Sequence, residues 1–592
     1  MRYFLVFLFV FTFQFTSAQS VQLANRYFVT GAYDKAEQLF AELHAQKPYS
    51  TYYFKRLISC YQQLEKFKKA EETILAYQKK YPQKAELYVE LGYNLQLQYK
   101  NEEAEKFYKK ALKAVDKNPK LGNPVGRAFK DNFLLKQALE TFKKMDSKSS
   151  ENISTKTTIA SIYGELGEIE NMFSAYLEMI EIRENYNNIV LRYIGRYVTD
   201  DSENENNKIL KNLVFKKIQE GPKDAWNEIL SWLFIQQKEY SKALIQEKAL
   251  YRRNKESFQR IFNLGENAFQ NEDYDSSIKA YNYILENSQM PEEIIESRYY
   301  ILESKLKNGT ENKEIEQEFE NVYTQFGRNI NTMYFQILEA DYLAFRKGES
   351  SKAIQILKEI LNQNLTKFEE ADVKIKLADI LVYENKFNQG LIYYSQIQTD
   401  LKNHRLAQLA KFKVAKTSYY KGDFDWAKTQ LDVLKKSTSQ LISNDAIDLF
   451  MLITDNSVDE DEKKGLELYA KADFLSYRNQ NNAAIDSLNV ILQKFKGRAI
   501  EDEALMKQAE LFEKTNQLEK AAENYLKVTN LKENDILIDD AYFALGKLYE
   551  EKINNPEKAS EYYQKIIFDY PSSIYLVEAR KRFRNLRGDA IN

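Results

Sequence analysis

The chain has 592 residues, a formal net charge of −2 from 85 Lys and Arg against 87 Asp and Glu, two His and one Cys. Its 18 Gly and 8 Pro are too few for the many hairpins of a β-sandwich or barrel, and 44% hydrophobic residues argue against global disorder. So few His and Cys leave almost nothing for a His/Cys metal site, a Cys–His nucleophile pair or a disulfide framework; the charge balance gives no basic footprint for nucleic acid.

Met1-Arg2 is a short positive start, followed by an apolar run through Phe15 broken only by Thr12 and Gln14. Thr16-Ser17-Ala18 then sets small residues where a signal peptidase reads. Residues 1–18 therefore read as a secretory signal with cleavage before Gln19. The alternative is an uncleaved N-terminal anchor. No Cys follows the run, which excludes a lipoprotein anchor, and no later stretch reaches the length of an apolar span, so the mature chain is expected to carry no integral membrane segment.

Beyond residue 18 a repeat begins. A small residue followed four later by a large one recurs as Ala36/Phe40, Ala70/Ile74, Ala104/Tyr108 and Ala138/Phe142, in steps of 34 that next reach Met172/Tyr176. Twelve residues before each lies another small or apolar residue: Ala24, Ile58, Gly92, Gly126 and Ala160. Small residues let two helices approach, and large ones fill the adjoining hole. Pro48 and Pro82 close the first two units. Later units centre on Ala243/Glu247, Ser277/Tyr281, Ala353/Leu357, Gly390/Tyr394, Ala427/Leu431, Ala484/Leu488, Ala521/Tyr525 and Ala559/Tyr563, with two degenerate units near Leu210 and Ile315.

From Ala353 the step becomes 37. The increment is close to one helical turn, which preserves the buried face, so the C-terminal units are expected to have longer helices rather than extra loops. Ala427 to Ala484 is a step of 57, which fits an extra helix at about Asn444–Thr454. The acidic run after it suits a helix N-terminus. Two polar breaks, at 200–207 and 455–462, are read as ordinary surface turns, with hinges the alternative. These steps divide the chain into 19–186, an N-terminal array; 187–225, a degenerate joint; 226–455, a central array; and 456–592, a C-terminal array.

A 34-residue helix–turn–helix with these offsets resembles the tetratricopeptide repeat (TPR). The resemblance implies an all-α TPR solenoid, a right-handed superhelix of about fifteen units. The segment Asp539-Asp540-Ala541-Tyr542-Phe543-Ala544-Leu545-Gly546, with Ala559, Tyr562-Tyr563 and Tyr570-Pro571, resembles units of Gram-negative envelope TPR proteins of the outer-membrane-assembly and cell-division-coordinator types. There Gly546 to Ala559 is 13 residues rather than 12, and the turn Asn554-Asn555-Pro556 is expected to absorb the extra one.

No phosphate-binding Gly-rich motif and no metalloprotease motif occurs, and carboxylates are spread along helix faces. No cofactor, metal or catalytic set is therefore expected. His44 and His404 read as surface or satisfied residues, and Cys60 as an inert core thiol. Aromatic pairs off the packing positions, Tyr52-Tyr53 and Tyr419-Tyr420, and also Tyr93, have the make-up of binding hot spots. By position in the TPR family, recognition residues are Tyr52, Lys55, Arg56 and Gln62 in the second unit, Val89, Tyr93 and Gln96 in the third, and Arg127 and Lys130 in the fourth. Asn25 alone matches the family's carboxylate clamp, so that clamp is not expected. The functional expectation is an exported, non-catalytic scaffold binding protein partners in the cell envelope, in the periplasm of a Gram-negative bacterium and associated with the outer membrane, in outer-membrane protein assembly or secretion. The alternative is a cell-wall glycan-binding protein or glycan-acting enzyme.

Overall fold

The computed structural model describes residues 20–147, 152–436, 440–531 and 536–588. The signal segment and its cleavage point lie outside them. Among the described residues the only regular elements are helices joined by short turns, as an all-α repeat array requires. No helix there is long and apolar enough to cross a membrane. By their contacts the residues fall into two compact units, Met1–Asn308 and Gly309–Asn592.

Each repeat is a helical hairpin held by the small/large pairs. In unit 1, Ala36, Phe40, Ala70, Ile74, Ala104, Tyr108, Ala138 and Phe142 are all buried. The approach is closest where the first helix carries glycine. A Cβ built on Gly92 would lie 2.4 Å from the Tyr108 ring and 3.1 Å from the Ala104 carbonyl oxygen. On Gly126 it would meet the Phe142 ring at 2.7 Å, and on Gly265 the Tyr281 ring at 2.8 Å. The aromatic knob of the second helix thus lies directly on the backbone of the first, the packing expected of a TPR hairpin. The degenerate units keep it: Leu210 and Val214 in unit 1, and Ile315 and Phe319 in unit 2, are buried.

Backbone geometry repeats with the same period. Gly31, Glu65, Tyr99, Phe133 and Gly167 stand at the hairpin turns, 34 residues apart, and all have positive φ, between 56° and 78°. The turn, not the residue type, sets this conformation, since Tyr and Phe occupy two of the five.

In unit 2 the longer step comes from longer first helices: Lys367–Tyr383, Arg405–Tyr420 and Ile500–Lys514 have 17, 16 and 15 residues, against 13 and 11 in Thr51–Gln63 and Glu86–Gln96 of unit 1. The extra helix between Ala427 and Ala484 spans Gln440–Asp455. The acidic run caps its successor: the Asp459 carboxylate accepts from the Asp461 and Glu462 backbone N–H groups at 2.9 and 2.8 Å.

The extra residue between Gly546 and Ala559 is not absorbed in the Asn554-Asn555-Pro556 turn. It sits upstream in a π-helical turn, Leu548–Lys552, whose wider winding takes up one residue without rotating the helix off its packing face. The same device, Tyr342–Arg346, lies between Ala340 and Ala353, also 13 apart. The polar break at 200–207 is pinned from inside. Asn207 is fully buried; its side-chain amide donates to the Thr199 and Asp201 carbonyls at 2.9 and 2.6 Å and its oxygen accepts from Thr199 N–H at 3.2 Å.

Candidate protein-binding faces

The first helices of unit 1 bring charged side chains from successive repeats together. Lys55 on Thr51–Gln63 donates to Asp131 at 2.8 Å and lies 3.9 Å from Glu90, so one ammonium joins three repeats. Glu90 is nearly buried and also accepts from Asn132 at 3.3 Å. Burial pushes its carboxyl above the usual range, against the pull of Lys55 and Asn132. Burial alone would lower the Lys55 ammonium, but Glu90 and Asp131 outweigh it and hold it above its ordinary value. Lys130 continues the ladder to Glu165 at 2.8 Å and Ser161 at 3.4 Å.

Aromatics flank this ladder. Tyr52 is 44% exposed, and its hydroxyl donates to Asn25 at 2.6 Å. The Arg56 guanidinium lies over the rings of Phe28 at 4.5 Å and Tyr52 at 5.5 Å, a cation–π arrangement. Tyr93 is half-buried and Arg127 exposed. Gln96 accepts from the Tyr108 hydroxyl at 2.8 Å, which ties it to the packing aromatic. Two expected groove residues are placed elsewhere. Val89 is fully buried and Gln62 nearly so, because the short first helices here bury a wider arc than one packing stripe.

Unit 2 has a comparable face that sequence reasoning missed. Asp379, on Lys367–Tyr383, accepts from Lys413 at 2.8 Å and from the Tyr394 hydroxyl. Asp473, on Glu460–Tyr477, accepts from Lys416 at 2.7 Å and pairs with Lys507 at 3.4 Å. Burial would raise Asp473, but the two ammonium groups outweigh it and hold the carboxyl below its ordinary value. Around them Tyr420 stacks on Tyr477 at 5.9 Å and contacts Phe474 at 5.2 Å. The signal was there as Asp379/Lys413 and Asp473/Lys507, each pair 34 apart, but it was hidden by a repeat step of 37. Tyr419, expected among the binding aromatics, is fully buried, because the longer helix turns it onto the packing side.

Cys60 is fully buried, and burial pushes its thiol up to about 12. His44 is not a surface residue: it lies between the Phe54 and Tyr77 rings at 5.9 and 6.0 Å, and burial, then Lys80, lower its pKa. His404 caps Arg405–Tyr420, its Nδ1 accepting from Leu406 N–H at 3.2 Å. Among the described residues no group of three or more His, Cys, Asp or Glu is disposed to hold a metal ion. On both faces carboxylates are matched to ammonium groups across repeats, an arrangement that positions charge along a surface.

No family model matches the chain, and no curated protein does. Solved structures similar to it include Naa15/Naa10 bound to HypK-THB, at 12% identity and TM-score 0.28 over 97% of each chain. The APC/C hetero-tetramer Cut9–Hcn1 is similar at 12% identity and TM-score 0.26 over 96% of each chain. Yeast Tom70 is similar at 11% identity and TM-score 0.24, over 97% of this chain and 96% of that one.

Proposed function

We propose that this chain is a non-catalytic scaffold that holds protein partners along the first-helix faces of its repeats, and that it is exported to the cell envelope of a Gram-negative bacterium. The observation that carries the first part is the composite face on which Lys55, Glu90 and Asp131 meet from three successive repeats. Such a surface is shared between neighbours and runs along the array, which suits an extended partner segment. Tyr52, Tyr93 and Arg127 supply the aromatic and guanidinium chemistry of binding hot spots. Export is supported by the layout of residues 1–18, and a role in outer-membrane protein assembly or secretion by the resemblance of the Asp539–Pro571 segment.

The test is affinity purification of the full chain, with crosslinking, from envelope extracts of the cell that makes it. Defined protein partners are expected. Combining Tyr93→Ala with Arg127→Ala should weaken that capture several-fold and leave the thermal midpoint nearly unchanged. Capture that is empty with an intact fold removes the scaffold reading; capture unaffected by the double variant removes the face around Tyr93.

A further inference from the structure

Near the C-terminal end of unit 1 the first helices Gln259–Gln270 and Pro291–Lys307 flank the second helix Tyr274–Asn287. Between them is a pocket of about 200 Å³ lined by Glu266, Glu293, Glu296, Phe262, Tyr281 and Tyr300, among others. Its lining contains three carboxylates and no Lys or Arg. Glu293 accepts from the Ser288 hydroxyl and Glu266 from Gln270 at 3.2 Å, both neutral donors. Glu266 and Glu296 are exposed and Glu293 is half-buried, so the three carboxylates ring the mouth of the pocket without a cation among its lining residues. Burial, then the charges of Glu266 and Glu293, push the Glu296 carboxyl above its ordinary range.

A second observation is independent of the carboxylates. Tyr281 is fully buried. Its ring stacks on Tyr300 at 4.9 Å with 6° between planes and lies edge-to-face with Phe262 at 5.7 Å. Its hydroxyl is buried and has no hydrogen-bond partner, and Tyr281 is among the residues lining the pocket. An orphaned buried hydroxyl costs free energy, as does a set of unneutralised like charges. Solvent screens the exposed Glu266 and Glu296 carboxylates but does not neutralise them. A cationic group bearing several N–H donors neutralises the carboxylates, can donate to the hydroxyl, and gains from the partly exposed Phe262 and Tyr300 rings.

We infer that this pocket takes the arginine side chain of a protein partner, gripped by Glu266, Glu293 and Glu296 and met by the Tyr281 hydroxyl. The inference rests on the chain being a protein-binding scaffold and assigns one of its contacts. A planar guanidinium fits because it presents paired donors to carboxylates and stacks on ring faces, whereas the pocket is too small for a folded element.

The experiment uses the immobilised full chain and an acetylated pentapeptide, Gly-Ser-Arg-Ser-Gly, read by surface plasmon resonance beside the same peptide with citrulline, which keeps the shape and removes the charge. The arginine peptide should bind saturably, and the citrulline peptide at least about tenfold more weakly. In Glu266→Gln with Glu296→Gln the arginine peptide should lose the same factor. That double variant should also melt about 1–2 °C higher, since like-charge repulsion is relieved. Equal binding of the two peptides, no saturation up to about 5 mM, or a variant that keeps the preference overturns the inference. So does a lower melting point in the double variant, because the carboxylates would then be structural. Spermidine binding more tightly than the peptide would place a free amine in the pocket and overturn the assignment to a protein segment. If the peptide test fails while envelope partners are still captured, only this pocket assignment falls.

Discussion

Glu247 receives both arms of the Arg260 guanidinium, at 2.7 Å from Nε and 2.9 Å from Nη2. It occupies the position where other hairpins of the unit seat Tyr108 or Phe142, and it is only 4% exposed. Its opposite number on the first helix is Ser231, which donates to it, in place of the Gly92 that faces Tyr108. The spacing is 16 residues in both cases. This hairpin has exchanged a steric knob for a buried charged one whose partner reaches in from the next repeat. Arg260→Ala should therefore cost about 2–3 kcal/mol, because it strands a desolvated carboxylate. Ser231→Gly with Glu247→Tyr, which restores the pair used elsewhere, should recover most of that loss in the Arg260→Ala background. Differential scanning calorimetry of the full chain decides; an Arg260→Ala midpoint equal to that of the unaltered protein would show that the pair does not support the fold.

Gly92 tests the steric version of the same contact. Gly92→Ala places a methyl group against the Tyr108 ring and the Ala104 carbonyl, at 2.4 and 3.1 Å before adjustment. The ring must move or the helices separate, at about 1–3 kcal/mol. Gly221→Ala is the control, since nothing lies within 4 Å of its Cβ position. Similar melting temperatures for the two variants would contradict the close approach.

The turns offer a stabilising change. Phe133 and Tyr99 hold φ of 58° and 63° while 86% and 91% exposed. Left-handed backbone is costly for bulky residues and easier for Asn or Gly. Phe133→Asn and Tyr99→Asn should each add about 0.5–1 kcal/mol. The later turns already use Asn385, Asn479, Asn516 and Asn554 in this conformation. Urea titration of each variant should give a higher midpoint; a lower one would mean the exposed rings support the fold in a way the turn geometry does not require.

The repeat register was legible because helix packing selects side-chain size at fixed offsets, so Ala36/Phe40 and its successors mark the core without any structure. The turn conformation was partly illegible. Gly31 and Gly167 announce it, but Glu65, Tyr99 and Phe133 do not, since geometry there is imposed by the flanking helices. The π-turns were hidden for a related reason: a 13-residue offset shows that a residue is inserted, but not whether turn or helix absorbs it. The binding faces were the least readable. Sequence placed Val89 and Gln62 in a groove because family position does not reveal how wide an arc a short helix buries. It missed Asp473 because a cross-repeat ion pair depends on helix length in two units at once.

Asp473 also gives the fold of unit 2 a defined acid sensitivity. Lys416 and Lys507 overcome its burial and hold its pKa below the ordinary 3.8. A carboxylate depressed in the folded state contributes stability that is fully present above its unfolded value and lost as pH falls through the lowered folded one. Lys507 is raised above 10.5 by Asp473 and Glu510 despite its burial, so its own share is complete below that value and disappears only in strong alkali. Between these limits Asp473→Asn removes the anion and leaves the two ammonium groups facing each other. The variant should melt several degrees below the unaltered protein at pH 7 and by the same margin at pH 5. The gap should close between about pH 4 and pH 2, as the native Asp473 takes up the proton that the Asn variant cannot. Thermal midpoints of both proteins across that range test it. A gap that persists unchanged at the acid end would show that the loss comes from altered packing at the side chain rather than from the charge it holds between the two lysines.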